Sequence, residues 1–312
     1  MGQEKNNRNA RKLNLVFWAF VGGGIIMKIG VLAEGFRCPL PEAFRKIAGL
    51  GLTGVQVYVT SGEINPGILD DRKRLNTYLE LLKDLKLTVS ALCGDMGGHG
   101  FEIQKDNAPR IEKTRAIIDL AEVFGTHVVT THIGVIPDDE KTERYGTMLE
   151  ALDTLGQYAK AKAITLAIET GPEKPETLKR FIEQTHGGVG VNLDPANFVM
   201  VTGVDPARAA EILGKYIVHT HVKDGIMKKQ VDPVWIYNIF AEGGIEDFRM
   251  GDYFIETPVG EGAVDFDAYL KALKKTGYDG FFTIEREAGE DPAGDIGLAA
   301  GYIRKKLADA GY

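Results

Sequence analysis

The chain has 312 residues, of which 44% are hydrophobic and 26% charged, and its formal net charge is -7. This composition is ordinary for a globular protein, and the acidic balance argues against binding to the phosphate backbone of nucleic acids. The two cysteines, Cys38 and Cys93, provide no disulfide framework, so we expect reduced thiols and a cytoplasmic protein.

The N-terminal segment differs from the rest of the chain. A polar, basic stretch over residues 1–12 precedes an apolar run over residues 13–27, as in a secretory signal peptide. The run has no Ala-x-Ala cleavage site and is shorter than the ~20 residues of a membrane-spanning helix, so we expect no stable membrane insertion. We interpret residues 1–26 as a non-native or flexible extension before a native start at Met27. A signal peptide and a peripheral anchor are the alternatives.

Residues 27–312 alternate short β-branched runs with longer amphipathic stretches. Strands are predicted over residues 28–33, 54–59, 88–92, 127–131, 165–168, 189–193, 217–220 and 280–284. Helices are predicted over residues 40–50, 70–85, 108–124, 145–162, 175–185, 205–213, near 232–240, 266–276 and 296–310. Eight such units with a mean period of ~36 residues predict an α/β fold with one domain, a closed (β/α)8 TIM barrel. The alternative, an open doubly wound sheet for a dinucleotide, lacks its Gly-x-Gly-x-x-Gly motif after the first strand.

Four side chains stand where predicted strands end: Glu169, Asp194, His221 and Glu285. A carboxylate at the end of an apolar strand is costly to bury without a partner. The carboxyl ends of barrel strands meet at one face, where three carboxylates and an imidazole are best stabilised by a divalent cation. The pattern therefore predicts a metal-dependent enzyme with one ion of Mn²⁺, Mg²⁺, Co²⁺ or Zn²⁺.

Alternation along the strands predicts the surroundings of this site. Residues two positions before a ligand share its inward face, so Asn192 and His219 are expected to form hydrogen bonds to the ligands. Asp194 precedes a proline, and an Asp in that place also starts turns. An ion pair of Glu285 with Arg286 is the competing interpretation, but adjacent strand residues point to opposite faces.

At these residues the chain resembles the xylose-isomerase-like barrels, and within them the sugar phosphate isomerase/epimerase group. The matching phrases are Ile168-Glu169, Leu193-Asp194-Pro195-Ala196-Asn197, His221-Val222-Lys223-Asp224, Pro258-Val259-Gly260-Glu261-Gly262 and Thr283-Ile284-Glu285-Arg286-Glu287. The resemblance covers nearly everything from Met27 to the end. It implies a Glu, Asp, His, Glu metal site at the ends of strands five to eight. It does not specify the substrate, because the group includes epimerases, isomerases, dehydratases and glycoside-cleaving lyases.

Other positions are candidates for contact with substrate. His132 ends the fourth strand in the inward phase, and Lys223 shares the face of His221. By resemblance, Glu261 lies in a loop over the site. Asn197 stands where many ketose epimerases, and the trinuclear zinc endonucleases of the superfamily, carry His, so we expect no three-metal cluster. The aromatic segment 227–254 indicates a pocket wall or a contact in a homo-oligomer.

The function expected first is a metal-dependent sugar isomerase or epimerase that acts through an enediolate on a ketose or keto-polyol. Glu169 and Glu285 would serve as base and acid on opposite faces of this small-molecule substrate. The alternative is a dehydratase or lyase on a keto-inositol or 3-keto-glycoside, in which the same intermediate expels a leaving group. A more remote alternative is a non-catalytic sugar-binding barrel.

Overall fold

The computed structural model describes residues 27–243 and 249–312. The strands, in chain order, are β1 Ile29–Leu32, β2 Gly54–Tyr58, β3 Thr88–Cys93, β4 Val128–Thr131, β5 Thr165–Glu169, β6 Val189–Leu193, β7 Ile217–Val222, β8 Asp224–Met227, β9 Phe254–Thr257 and β10 Phe282–Ile284. Eight of them form a closed barrel in the spatial order β1, β10, β7, β6, β5, β4, β3 and β2. Strand β1 pairs in parallel with both β10 and β2, which closes the cylinder. The predicted single-domain (β/α)8 barrel is confirmed.

Helices connect the barrel strands and cover the outside of the barrel. Their bounds are α1 Leu40–Gly49, α2 Arg72–Asp84, α3 Gln104–Phe124, α4 Glu143–Ala161, α5 Pro175–Glu183, α6 Pro206–Leu213, α7 Pro233–Ala241, α8 Phe266–Thr276 and α9 Pro292–Ala310. Aspartates begin several of them; Asp71, for example, accepts a hydrogen bond from the amide of Arg74. Glycines end several helices in the left-handed conformation, with φ of 72° at Gly125 and 83° at Gly277.

The structure differs from the sequence prediction mainly after β7. This strand extends to Val222 and so includes His221. An antiparallel hairpin of β8 and β9 follows, which the sequence did not predict, and α7 lies in the connection between its strands. Helix α9 begins at Pro292 rather than residue 296, because the side chain of Asp291 caps it and proline is favoured in the first turn. Helix α3 begins at Gln104 rather than residue 108.

The main hydrophobic core lies between the outer face of the barrel and the helices. Its largest buried side chains include Phe44, Phe181 and Phe266, which are at most 1% exposed. The barrel interior, in contrast, contains buried polar side chains from several strands, among them Gln56 and His219. None of the described helices is both long and apolar enough to cross a membrane. The predicted extension, residues 1–26, lies outside the described residues.

Candidate metal centre

Four consecutive strands of the barrel bring the predicted ligands together. Glu169 is the last residue of β5, Asp194 follows β6, His221 lies in β7 and Glu285 follows β10. One potential ligand atom from each lies within 4.8 Å of the others, and all four side chains are buried. The arrangement matches the expectation that active sites of (β/α)8 barrels form at the carboxyl ends of strands.

Three carboxylates approach the same nitrogen of His221. Its Nδ1 lies 2.8 Å from Oε2 of Glu285, 3.2 Å from Oδ2 of Asp194 and 3.6 Å from Oε1 of Glu169. The other ring nitrogen, Nε2, lies 3.0 Å from Oε1 of Gln56. Because Nε2 donates its proton to this amide oxygen, Nδ1 is the nitrogen whose lone pair a cation would use once it displaces the Nδ1 proton.

The side chain of Gln56 is itself held in one orientation. Its amide nitrogen donates a hydrogen bond of 2.9 Å to Oγ1 of Thr130, so its oxygen must face His221. Gln56 is 1% exposed and lies in β2, outside the predicted ligand set. Gln56 was not predicted from the sequence, although an amide between two valines of a buried strand is a signal that a polar partner lies nearby.

Replacing Gln56 with Met should weaken metal binding while leaving all four ligands in place. Methionine keeps the length of the side chain but offers no good acceptor to Nε2 of His221, so the ring loses its fixed tautomer. We expect the dissociation constant for Mn²⁺ or Zn²⁺, measured by titration, to rise by roughly 10–100-fold. The exposed Gln157, which bonds only Asp153 on its own helix, provides the control Gln157→Met. Equal affinities of both variants for the metal would contradict this role.

A second chain of hydrogen bonds positions Glu169. Burial lowers the pKa of His219 well below its usual value, so its ring is neutral. Its Nε2 accepts from Oγ1 of Thr283 at 2.9 Å, and its Nδ1 donates to the amide oxygen of Asn192 at 2.8 Å. The amide nitrogen of Asn192 then donates to Oε2 of Glu169 at 3.3 Å. The placement of Asn192 and His219 beside the ligands is that expected from strand alternation.

The charges of the site favour a divalent cation. Burial opposes the charged form of His221, but the carboxylates of Glu285 and Glu169 outweigh it and raise the pKa well above its usual value. With His221 protonated and Lys223 3.4 Å from Glu285, the three carboxylates still leave one negative charge in excess. A divalent cation that displaces the proton of His221 adds two positive charges and removes one, so the set becomes neutral.

Glu285 supplies an independent observation that fits a cation. Its Oε2 is buried and accepts no hydrogen bond, although Nδ1 of His221 is only 2.8 Å away. A buried carboxylate oxygen without a hydrogen bond is costly. A lone pair of this oxygen is therefore available to a cation held between Glu285 and His221. The residues present therefore fit a metal site.

Comparison with known proteins agrees with this geometry. The family model described as "Xylose isomerase-like TIM barrel" matches residues 44–306, which contain all four ligands. The chain belongs to the xylose isomerase-like TIM barrel family.

Relatives in this family have different activities. An uncharacterized protein of Methanocaldococcus jannaschii is 24% identical over 83% of this chain and 88% of its own length. An inosose dehydratase of Clostridium perfringens is 30% identical, but the match covers 48% of this chain and only 49% of the dehydratase. An L-ribulose-5-phosphate 3-epimerase of Escherichia coli is 38% identical over 22% of this chain and 24% of its own length. This chain therefore aligns with half or less of the two characterized relatives.

Solved structures of the family share the fold. A xylose isomerase domain protein from Planctomyces limnophilus superposes with a TM-score of 0.72 and 22% identity, over 91% of this chain and 98% of that protein. A xylose isomerase-like TIM barrel protein from Mycobacterium smegmatis, solved in complex with magnesium, superposes with a TM-score of 0.67 and 19% identity. The match covers 91% of this chain and 98% of the magnesium-bound protein.

A cavity of about 690 Å³ opens above the candidate ligands, and three of the four predicted substrate residues line it. His132 directs Nδ1 to Oδ2 of Asp95 at 3.2 Å and Nε2 to Oε1 of Glu169 at 3.8 Å. Lys223 lies 2.7 Å from Oε2 of Glu287. Asn197 donates to Oε1 of Glu169 at 3.4 Å and to the carbonyl of Thr170 at 3.0 Å, so it also orients a ligand. Each of these three side chains thus has a polar partner at the cavity.

Glu261 is placed elsewhere. Its side chain is exposed and it is not among the residues that line the cavity. The loop around it is attached to the barrel by Asp224, whose carboxylate accepts from four backbone amides at 2.9 to 3.1 Å: Gly225, Gly260, Gly262 and Val264. This loop is thus fixed at the barrel mouth, while the side chain of Glu261 is exposed to solvent.

We expect Asp224→Asn to destabilise the protein. An amide replaces one carboxylate oxygen by an N–H donor, so two of the four backbone amides lose their acceptor and face a donor instead. Hydrogen bonds to a charged group contribute about 1.5–3 kcal/mol each, so the free energy of unfolding should fall by about 3 kcal/mol in a urea titration. Asp279→Asn is the matched control, because the side chain of Asp279 is 87% exposed. A loss below about 0.5 kcal/mol at Asp224, typical of neutral surface changes, would contradict the anchoring role.

Proposed function

We propose that this protein is a divalent-metal-dependent sugar isomerase or epimerase that acts through an enediolate on a ketose or related keto-polyol. The observation that carries the proposal is the buried set of Glu169, Asp194, His221 and Glu285 at the mouth of a barrel. One divalent cation held by this set would polarise the substrate carbonyl and acidify the neighbouring C–H bond. The epimerase among the relatives supports this choice of chemistry.

Two of the carboxylates are suited to move the proton. Glu169 comes from β5 and Glu285 from the end of β10, with β6 and β7 between them in the barrel, so they approach the centre from different sides. Amide groups of Asn192 and Asn197 bond one oxygen of Glu169 each, which fixes the plane of this carboxylate. Glu169 then removes the proton on one face of the substrate and Glu285 returns it on the other.

The remaining polar residues bind and orient the substrate. Lys223 is buried beside Glu285 and Glu287, and its ammonium group can donate to a substrate hydroxyl oxygen next to the reacting carbon. His132 reaches the cavity from β4, held by Asp95. Both residues restrict the substrate to an orientation in which its acidic C–H faces Glu169. The partner we propose is therefore a small polyhydroxylated ketone, and we propose a cytoplasmic location because both cysteines are unpaired.

A dehydratase is the second candidate, and the pairing of His132 with Asp95 favours it. An elimination needs a proton donor for the departing hydroxyl group in addition to the base that removes the C–H proton. His132 is 3.8 Å from Glu169 and its ring is bonded to a carboxylate, which is a suitable place for that donor. The inosose dehydratase among the relatives supports this alternative.

Mass spectrometry in D₂O separates the two reactions. The metal-loaded protein is incubated with ketoses, ketose phosphates, keto-inositols and 3-keto-glycosides. Deuterium uptake without other loss identifies an isomerase or epimerase, whereas loss of water or of the aglycone identifies a dehydratase or lyase. A protein that binds the metal but exchanges no C–H proton across this panel would contradict the proposed enzyme.

A further inference from the structure

The cavity above the metal site has two chemically different ends. The polar end contains the ligands Glu169 and Glu285 together with Lys223. The other end is apolar, and its wall consists of Met200, Val201, Phe240, Met250, Phe254 and Ile255. A volume of about 690 Å³ is in the range of sites for drug-sized ligands, ~300–1,000 Å³, and a free monosaccharide occupies only part of it.

The apolar wall is built by the segment that interrupts the seventh strand–helix unit. Helix α7, the turn at Met250 and strand β9 supply four of its six residues, and all three lie between β7 and α8; Met200 and Val201 follow β6. Three wall residues, Met200, Val201 and Phe254, pack with Ile236 and Ala196 in a separate small hydrophobic cluster. The wall is thus backed by its own core, which keeps its shape in the absence of a ligand.

Apolar side chains are exposed mainly at this place. Among the described residues, all the large exposed hydrophobic side chains except Val123 and Leu298 lie between Ile226 and Ile255. Phe240 is 47% exposed and Met250 48%, and both line the cavity. Concentrated apolar exposure marks a binding surface. Since the surface continues into the metal site, its occupant has a polar end at the ligands and an apolar end at this wall.

Tyr237 lies at the boundary between the two ends. Its ring lies 6.2 Å from that of His132, and its hydroxyl reaches the backbone at Gly171, where a Cβ atom would collide with it. Glycine at position 171 therefore permits α7 to sit close to the loop that follows Glu169. This close approach joins the apolar wall to the catalytic end within a single cavity.

We propose, resting on the proposed function, that the substrate is a keto sugar or keto-polyol that carries an apolar substituent of about the size of an aromatic ring. The hydroxyketone part binds at the ligands and Lys223, and the substituent packs against Phe240, Met250 and Ile255. Free ketoses and ketose phosphates leave this wall uncovered.

The test compares the phenyl and methyl β-glycosides of 3-keto-glucose with the metal-loaded protein. Conversion and C–H exchange of each are measured as kcat/KM, and we expect the phenyl compound to be preferred by about tenfold or more. Phe240→Ser should reduce this preference to near unity, and Ala241→Phe, which fills the cavity from the same helix, should reverse it. Leu298→Ser is the control, because this side chain is 70% exposed and lies outside the cavity.

Binding provides a readout that does not depend on turnover. Calorimetry of the metal-loaded, unmodified protein with phenyl and methyl β-glucoside, which have no ketone to enolise, should show tighter binding of the phenyl compound and a more negative heat-capacity change, the mark of apolar burial. Conversion of both glycosides without a preference for phenyl would overturn this inference and leave the proposed function intact. Absence of exchange on every ketone would overturn the proposed function, while the ratio of the two dissociation constants would still decide the inference. A preference that Phe240→Ser leaves unchanged would contradict the proposed contact between the substituent and this wall.

Discussion

Glu169→Gln is expected to lower kcat by about 10²–10⁴-fold, the usual contribution of a general base, with little change in the fold. The amide cannot accept the substrate proton, and it removes one negative charge from the ligand set. It also turns one amide hydrogen bond from Asn192 or Asn197 into a contact between two donors. Turnover is measured in D₂O with the best substrate of the panel, and circular dichroism reports on the fold.

Glu173 offers a matched control for this experiment. Glu173 lies four residues after Glu169, in the loop that follows β5, and is 7% exposed. It belongs neither to the ligand set nor to the residues that line the cavity. Burial raises its pKa to about 7, so it is already partly protonated near neutral pH and glutamine is a close substitute. Turnover of Glu169→Gln at the level of Glu173→Gln would remove Glu169 from the mechanism.

The second large effect is expected for Asp194→Asn, which separates metal binding from local structure. One oxygen of Asp194 accepts from the amides of Ala196 and Asn197 at 2.8 and 3.0 Å and so begins a short helical turn. The other oxygen faces His221 at the proposed metal position. Asparagine can keep the first function with its amide oxygen, but it directs an N–H group at the cation.

Metal affinity of Asp194→Asn should therefore fall by more than the roughly 10–100-fold expected for a supporting residue such as Gln56. The free energy of unfolding without metal should change little. Asp194→Ala, in contrast, should lose both metal binding and about 1 kcal/mol of stability, because it also removes the cap of the turn. If Asp194→Asn bound the metal as tightly as the unmodified protein, Asp194 would be a structural cap only.

The fold and the ligand set could be predicted from the sequence because both depend on periodic patterns. Alternation places Glu169 and Asn192 on inward faces, and parallel strands bring their carboxyl ends to one rim. The same rule predicted that Arg286 faces away from the site, where it bonds Glu256 and Asp295 at 2.7 and 2.9 Å. These features require no knowledge of which residues meet across the barrel.

Contacts between distant segments were not accessible in the same way. Gln56 meets His221 only because β2 and β7 face each other across the interior, 165 residues apart in sequence. The hairpin of β8 and β9 was missed because its short strands are separated by a helix. Glu261 was expected at the substrate by resemblance, but its side chain is exposed and does not line the cavity. Hydrogen bonds from backbone amides of its loop to Asp224 determine where this loop lies. The status of residues 1–26 stays a prediction.

The measurement that tests the central claim most directly is the metal content of the protein after dialysis against Mn²⁺ or Zn²⁺. Elemental analysis should find one ion per chain in the unmodified protein and in Glu173→Gln, and none in Asp194→Asn. The bound ion should also raise the free energy of unfolding, by about 2.7 kcal/mol when its free concentration is 100 times the dissociation constant. If the unmodified protein retained no ion, or Asp194→Asn retained the same amount, the four residues would not form a metal centre.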